Sequence, residues 1–327
     1  MQKYRNQIVV GLMIALGIYL VMMLVLDSQS YTADAEGLAT AFGRFDGSLV
    51  IVLVLCQLGV VVFRWIEWHY YLGVVGASMS RFHSLLILIA GFTLVVSPGK
   101  AAELLKALLV RVRTGVPAAR VAPVVLAERV IDGLAVIIIM VLALAVAGPQ
   151  ISLGRHADVD YDTLSRGIIY TAAALLGFGL IVVQIAPLAY FFLDLLKRLP
   201  LLRRVHHPLL EFYESSREIF RLRHVIPMTV VGTGVYFCSA LGFYYVLVGF
   251  GLEATWTLFL QAAFMVGVTS AIGALSFVPN GAGITEISNV GLLMAFLAPQ
   301  EPQMTLAVAT AASLLQGFFH KWLRVLL

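Results

Sequence analysis

The chain has 327 residues, 61% hydrophobic and only 12% charged, with a formal net charge of +4 and a mean hydropathy of +0.95. Soluble domains are closer to half apolar and a quarter charged, so a soluble enzyme, a disordered chain and a free nucleic-acid binder are excluded. The basic excess is what cytoplasmic loops of a membrane protein carry. The two cysteines, Cys56 and Cys238, both lie in apolar runs and provide neither a disulfide framework nor a zinc site.

A membrane-spanning helix needs about 20 apolar residues. In chain order the runs that qualify are Ile8–Leu26, Ser48–Tyr70, Ala122–Ala147, Gly167–Leu193, Ile226–Phe250 and Thr305–Trp322. The first is long enough to span and is followed by no small-residue cleavage site, so no cleavable signal peptide is expected. Two more apolar stretches are broken. Ser84–Arg113 is interrupted at Ser97-Pro98-Gly99-Lys100, and Thr257–Ala298 at Pro279-Asn280-Gly281-Ala282-Gly283. Pro187 falls inside the fourth run, where a tolerated kink is the expectation.

Loop charges assign the sides. Lys3 and Arg5 precede the first run, and Asp27, Asp34, Glu36 and Asp46 follow it. Arg64 and Arg81, then Arg111, Arg113 and Arg120, mark one side. Asp158, Asp160 and Asp162 mark the other. The segment 197–224 is the most basic, and Pro208–His224 within it has the pattern of an amphipathic helix lying on the membrane. The positive-inside rule then puts both termini in the cytoplasm.

Arg81 and Arg111 both belong on the cytoplasmic side, yet one broken stretch separates them. Its halves are about 14 residues, or roughly 21 Å of helix, too short to span. A hairpin of half-helices that enters and leaves on one side satisfies this, and Thr257–Ala298 reads as a second hairpin entering from outside. The expected fold is therefore an all-α polytopic membrane protein, a single domain over 1–327. It has six transmembrane helices plus two re-entrant helical hairpins, arranged as inverted repeats of about 48–147 and 226–324. Breaks at corresponding places in two halves point to a transporter's midplane site.

Charges at membrane depth are costly and persist when paired or facing a wet cavity. In the first hairpin Ser97 can cap a half-helix that Pro98 and Gly99 begin. Its N-terminus favours an anion such as phosphate, and Lys100 adds a full positive charge. Lys100, Glu103 and Lys106 fall near one face, with Glu103 able to pair with either lysine. The other reading is a polar stripe that neutralises itself. Glu128, Arg129 and Asp132 open the third span as an ion network, either lining a cavity or holding the hairpin in place. In the second hairpin Asn280, Gly281 and Gly283 form the break, with Thr285 and Glu286 following. Glu286 could bind a cation, carry a proton, or pair with Lys100 or Lys321. Snorkelling accounts for Arg64 and Lys321, and an aromatic belt for Trp65, Trp68 and Trp322. No metal-ligand spacing surrounds His206 and His207. No nucleotide, zinc-protease or nucleophile-elbow motif is present, so no cofactor is expected.

The segment Ser97-Pro98-Gly99-Lys100-Ala101-Ala102-Glu103-Leu104-Leu105-Lys106 resembles the "tPGkaGEllr" signature of the flippase-like family, the transmembrane domain of lysylphosphatidylglycerol synthase/flippase proteins and their stand-alone relatives. Ala127-Glu128-Arg129-Val130-Ile131-Asp132 looks like its "vERllD" motif. Pro279-Asn280-Gly281-Ala282-Gly283-Ile284-Thr285-Glu286 is similar to its "PGGlGvtE" motif. The resemblance covers nearly the whole chain in order. It implies a multi-pass protein of a prokaryotic cytoplasmic membrane that moves lipids between leaflets or handles lipid-linked precursors. Asn280 departs from a usual glycine, and Gln316 stands where many relatives have arginine, which puts part of the charge network in doubt.

Two functions stay open at this point. One is a flippase for a phosphate-bearing lipid, either a phospholipid or a polyprenyl-phosphate-linked lipid. Lys100, Lys106 and the half-helix ends would hold the headgroup, and Glu128, Arg129, Asp132, Gln316 and Lys321 would form a gating network. The other is a membrane enzyme acting on a lipid-linked substrate by glycosyl or phosphoryl transfer. A separate lipid-modifying synthase and a homo-oligomer are open as partners; nucleic acid is not expected.

Overall fold

A computed structural model describes residues 37–94, 105–147, 155–156, 159–187, 206–276, 278 and 281–323. The expected span Ile8–Leu26, the first hairpin's tip with Ser97, Gly99, Lys100 and Glu103, and Asn280 lie outside the described residues.

The described chain is helical apart from one antiparallel pair, in which β1 (Arg155–His156) faces β2 (Val159–Asp160). The short α1 (Leu38–Gly43) leads to a 3-10 turn, Gly47–Leu49, whose Asp46 cap accepts from Ser48 N at 2.9 Å. The long α2 (Val50–Val74) follows, then α3 (Arg81–Leu94), α4 (Leu105–Thr114) and α5 (Ala118–Ala147). After β2 come α6 (Tyr161–Gln184), α7 (His206–Ile219) and α8 (Leu222–Gly249). The chain closes with α9 (Trp256–Leu275), α10 (Ile284–Phe296) and α11 (Leu306–Gly317), which runs into a π-turn over Phe318–Trp322. Thr255 and Thr305 cap α9 and α11 by accepting from Leu258 N and Val308 N, each at 3.2 Å.

Four described helices are long and apolar enough to cross a membrane: Gly47–Val74, Ala118–Val146, Leu222–Gly249 and Trp256–Leu275. The chain is thus a multi-pass membrane protein by length and composition. The fourth differs from expectation. Trp256–Leu275, read from sequence as one arm of a short hairpin, is by itself roughly 30 Å long. Its most apolar window is 67% buried, against 33–39% for the other three. Its apolar surface therefore faces protein, which is why its sequence alone cannot say whether it is a span or an arm.

Both broken stretches fold back on themselves. At the open end of the first hairpin, Arg113 Nη2 donates to His83 Nε2 at 3.1 Å. That nitrogen must accept, so the ring proton sits on Nδ1 and donates to Ser80 Oγ at 2.6 Å. The start of α3 and the end of α4 are thereby tied together. The second hairpin is antiparallel too: Phe264 and Phe296 meet edge-on at 6.1 Å, and near its tip Gly273 touches the Gly281 backbone.

Helices α2 and α8 pack closely through small residues: a Cβ on Gly59 would lie 2.9 Å from Cys238 Sγ. One core gathers around Phe243, Leu247 and Phe264, and a second around Trp68, Tyr71, Ile131 and Ile219. The expected amphipathic helix 208–224 is shorter. It ends at Ile219, turns at Phe220 and Arg221, and α8 starts at Leu222. Its apolar side packs on α5 rather than only on lipid, with Ile219 fully enclosed. The helix α6 stops at Gln184, and after Ile185 the chain is helical again at Ala186 and Pro187, beyond which the residues are outside those described.

Candidate functional site

Between the two hairpins lies a cavity of about 440 Å³. One wall is built by Arg64 of α2, Gly91 and Phe92 of α3, Lys106 of α4, and Glu128 and Asp132 of α5. The facing wall is built by Thr269 of α9, Thr285, Glu286 and Asn289 of α10, and Gln316 and Lys321 at the end of α11. Apolar side chains such as Leu88, Val136 and Met140 fill the ground between the charges.

The tip of the second hairpin needs glycine. Gly281 has φ +62°, and Gly283 φ +82°, both in the left-handed region that side chains other than glycine avoid. That turn brings the N–H of Gly283, the cap of α10, to Glu286: its Oε2 accepts from Gly283 N at 2.8 Å, and Thr285 Oγ1 lies 3.0 Å away. Its Oε1 accepts from Lys321 Nζ at 2.8 Å. Lys321 also donates to the Thr285 hydroxyl, and its Nζ lies 3.4 Å from Gly281 O. All three ammonium protons have acceptors, and both carboxylate oxygens have donors. This buried ion pair is saturated.

The π-turn explains how Lys321 gets there. Its i→i+5 bonding inserts an extra residue into the turn, so Gln316 and Lys321 come onto one side, and both line the cavity. His320 lines the cavity beside them.

The wall of Arg64, Lys106, Glu128 and Asp132 is less complete. Lys106 Nζ donates to Glu128 Oε2 at 2.6 Å and sits 4.6 Å above the Trp68 ring, a cation–π arrangement. Gly91 makes room for it, since a Cβ there would collide with the Lys106 chain. Glu128 Oε1 is buried without a hydrogen-bond partner. Arg64 Nη1 lies 2.5 Å from Asp132 Oδ1 and Arg129 Nη1 3.2 Å from Asp132 Oδ2. The Arg64–Asp132 contact is a charge contact without hydrogen-bond alignment, because neither Nη1 nor Oδ1 counts a bonded partner. This cluster has polar capacity to spare where the other pair has none.

The two pairs have opposite polarity. The second arm of the first hairpin carries the cation, Lys106, and the helix after it the anion, Glu128. In the second hairpin the arm carries the anion, Glu286, and the helix after it the cation, Lys321.

Of the residues singled out from sequence, the cavity brings together Lys106, Glu128, Arg129, Asp132, Gly281, Thr285, Glu286, Gln316 and Lys321. Gly283 stands behind it as the donor to Glu286. Two readings are corrected. Arg64 and Lys321 do not snorkel; both are buried in ion pairs. Trp68 does not belong to an interfacial belt, since it is fully enclosed beneath Lys106. The sequence reading left Arg64, Trp68, Tyr236, Asn289 and His320 out of the site. For Arg64 a signal existed: it lies ten residues before the end of an apolar helix that closes at Val74, deep for a charge. For Tyr236 and Asn289 nothing in the local sequence distinguishes them from core polar residues. Among the described residues, no group of three His, Cys, Asp or Glu side chains converges as a metal set requires.

The sequence matches the family described as "Lysylphosphatidylglycerol synthase TM region" over residues 8–327, and the chain belongs to that family. No curated protein matches it.

Proposed function

We propose that this member of the lysylphosphatidylglycerol synthase transmembrane-region family is a lipid translocase. A phosphate-bearing headgroup, of a phospholipid or a polyprenyl-phosphate-linked lipid, crosses through the cavity while its tails stay in the bilayer. The observation that carries this reading is the charge balance on the under-bonded wall. Arg64, Lys106 and Arg129 face Glu128 and Asp132, three positive charges against two negative. A singly charged phosphodiester completes that set, and the planar guanidinium fork of arginine suits phosphate. The saturated Lys321–Glu286 pair acts as the gate that opens on the other side.

The architecture proposed with it is six spanning helices and two re-entrant hairpins, with both termini on the cytoplasmic side of a prokaryotic cytoplasmic membrane. The order of long helix, hairpin and following helix in α2–α5 and again in α8–α11 supports the inverted repeat over 48–147 and 226–324. On this reading the chain forms no covalent product, and lipid or ion gradients supply the energy.

The test is leaflet exchange. The 327-residue chain goes into sealed liposomes with fluorescent lipids of different headgroups, and a membrane-impermeant quencher is added outside. Quenching beyond the outer-leaflet share supports translocation. Arg129 is half-exposed in the cavity and Asp132 keeps Arg64 without it, so Arg129→Gln should fold. It should slow exchange of anionic lipid by roughly ten- to a hundredfold, the worth of one charge-assisted hydrogen bond. No exchange with any lipid, together with product formed from a lipid-linked donor, overturns the reading in favour of a membrane enzyme.

A further inference from the structure

We propose that Glu67 binds a proton, and that this proton and an anionic lipid headgroup occupy the Arg64–Lys106–Arg129 cluster together. The inference rests on the translocase reading and gives it a coupling ion.

Glu67 lies on α2 and is 0% exposed, and neither of its carboxyl oxygens has a hydrogen-bond partner. The cation against it is Arg64, whose Nη1 is 3.8 Å from Glu67 Oε2 but 2.5 Å from Asp132 Oδ1. One guanidinium is offered to two carboxylates and is committed to Asp132. A charged carboxylate enclosed without a donor is strongly penalised. The neutral acid is the form this position accommodates.

The groups that act on Glu67 are Arg64 and Tyr71 on its own helix and Glu128, Arg129 and Asp132 on α5. From α8, Tyr236 faces Arg64 and Asp132, while His224 is bonded to Tyr70. On α3, His83 is held by Ser80 and Arg113. On α7, Glu218 is engaged by Arg221 and Arg223. At the π-turn, Lys321 is held by Glu286, and His320 lines the cavity. None of these places a hydrogen-bond donor on Glu67.

The charge state of Glu67 sets the sign of the site. With Glu67 neutral, the described cluster of Arg64, Lys106 and Arg129 against Glu128 and Asp132 stands at +1. With Glu67 ionised, three carboxylates cancel three cations. A phosphodiester is drawn to the first state and released by the second. The step is balanced: Glu67–COOH gives Glu67–COO⁻ and one proton, which leaves to water. Arg64 turns from Asp132 to the new carboxylate. One proton accompanies one headgroup.

The experiment uses the full chain in sealed liposomes, with a fluorescent phospholipid bearing a singly charged phosphodiester headgroup. With one proton per lipid, a gradient of one pH unit shifts the inner-to-outer lipid ratio by about tenfold. Glu67→Gln, permanently neutral, should lose that response. In detergent, the affinity for a short-chain phosphodiester lipid should fall as pH rises in the wild type and stay level in Glu67→Gln. Infrared difference spectra supply a readout independent of transport: a protonated-carboxyl band in the wild type should vanish in Glu67→Gln. A gradient response kept by Glu67→Gln, or a wild-type spectrum without that band, overturns the inference even if lipid moves. If the band and the pH-dependent binding are present but no lipid moves, Glu67 stands as the proton site and the translocase reading fails.

Discussion

Lys106 reaches from the second arm of the first hairpin to Glu128 on the following helix, with Nζ 2.6 Å from Oε2, while its chain crosses a gap left by Gly91 and its charge rests over Trp68. Both partners are almost fully enclosed, Lys106 at 4% and Glu128 at 2% exposure. The pair is therefore costly to make and costlier to break. Removing one member strands a charge in a low-dielectric site.

Glu128→Gln should accordingly destabilise the protein by about 3–5 kcal/mol, and Lys106→Met by a similar amount. The double variant Lys106→Met/Glu128→Gln should recover most of the loss. Thermal unfolding of the four proteins in one detergent gives the cycle. Equal and additive losses would mean that the two charges are solvated separately.

Gly91→Ala tests the gap. The added methyl meets the middle of the Lys106 chain rather than its end, and that chain is pinned by Glu128. Overpacking of this kind costs about 1–3 kcal/mol, and the displaced ammonium should lower affinity for a phosphate-bearing lipid. Binding measured alongside unfolding separates the two effects. Unchanged values for both would show that α3 and α4 simply move apart.

At the second tip, Gly281→Ala combines a positive φ of +62° with a Cβ 2.9 Å from Thr285 Cγ2 and 3.2 Å from Gly273 Cα. The backbone conformation alone costs on the order of 1–3 kcal/mol. Because Thr285 carries the Lys321 contact, the variant should also loosen the Glu286–Lys321 pair. Cross-linking yield between cysteines placed on α10 and α11 would report that, and an undiminished yield would refute it.

Glu218 offers a pH test outside the spans. Burial acts upward on its carboxyl, but the hydrogen bond from Arg223 and the charges of Arg221 and Arg223, with His224, hold it below its ordinary value of 4.5. A depressed folded-state value means stability that is fully present above the unfolded value and lost as pH falls through the folded one. The wild type should thus lose melting temperature relative to Glu218→Gln as pH drops below about 4.5. The two curves should run parallel at neutral pH. Parallel curves throughout would show that α7 and α8 are not held by this carboxylate.

Much of the fold was legible because membrane spans are written as runs of apolar residues. Val50–Val74, Ala118–Ala147 and Leu222–Gly249 lie within a few residues of the runs read from sequence, and both Pro/Gly breaks fall between described helices. The partners of the charges were less legible. Lys106 has Glu103 three residues away in sequence, yet it bonds Glu128, twenty-two residues on, because the hairpin packs on α5. Arg64 and Trp68 read as an interface because residues typical of interfaces cluster there; only tertiary packing encloses them. The π-turn at Phe318–Trp322 has no composition that marks it. Glu67 lies seven residues before the end of α2, but its lack of donors depends on Arg64 lying against Asp132, which sequence spacing cannot decide.

The opposite polarity of the two ion pairs limits how the halves can move. If each hairpin parted from the helix that follows it, one would carry away a bare ammonium and the other a bare carboxylate. On the translocase reading, two freed groups of like charge would repel and hold the passage open to both sides at once. A freed ammonium and a freed carboxylate attract across the gap, so on that reading parting on one side is answered by closure in the middle, and a through-pore that would leak ions is disfavoured by the same four side chains.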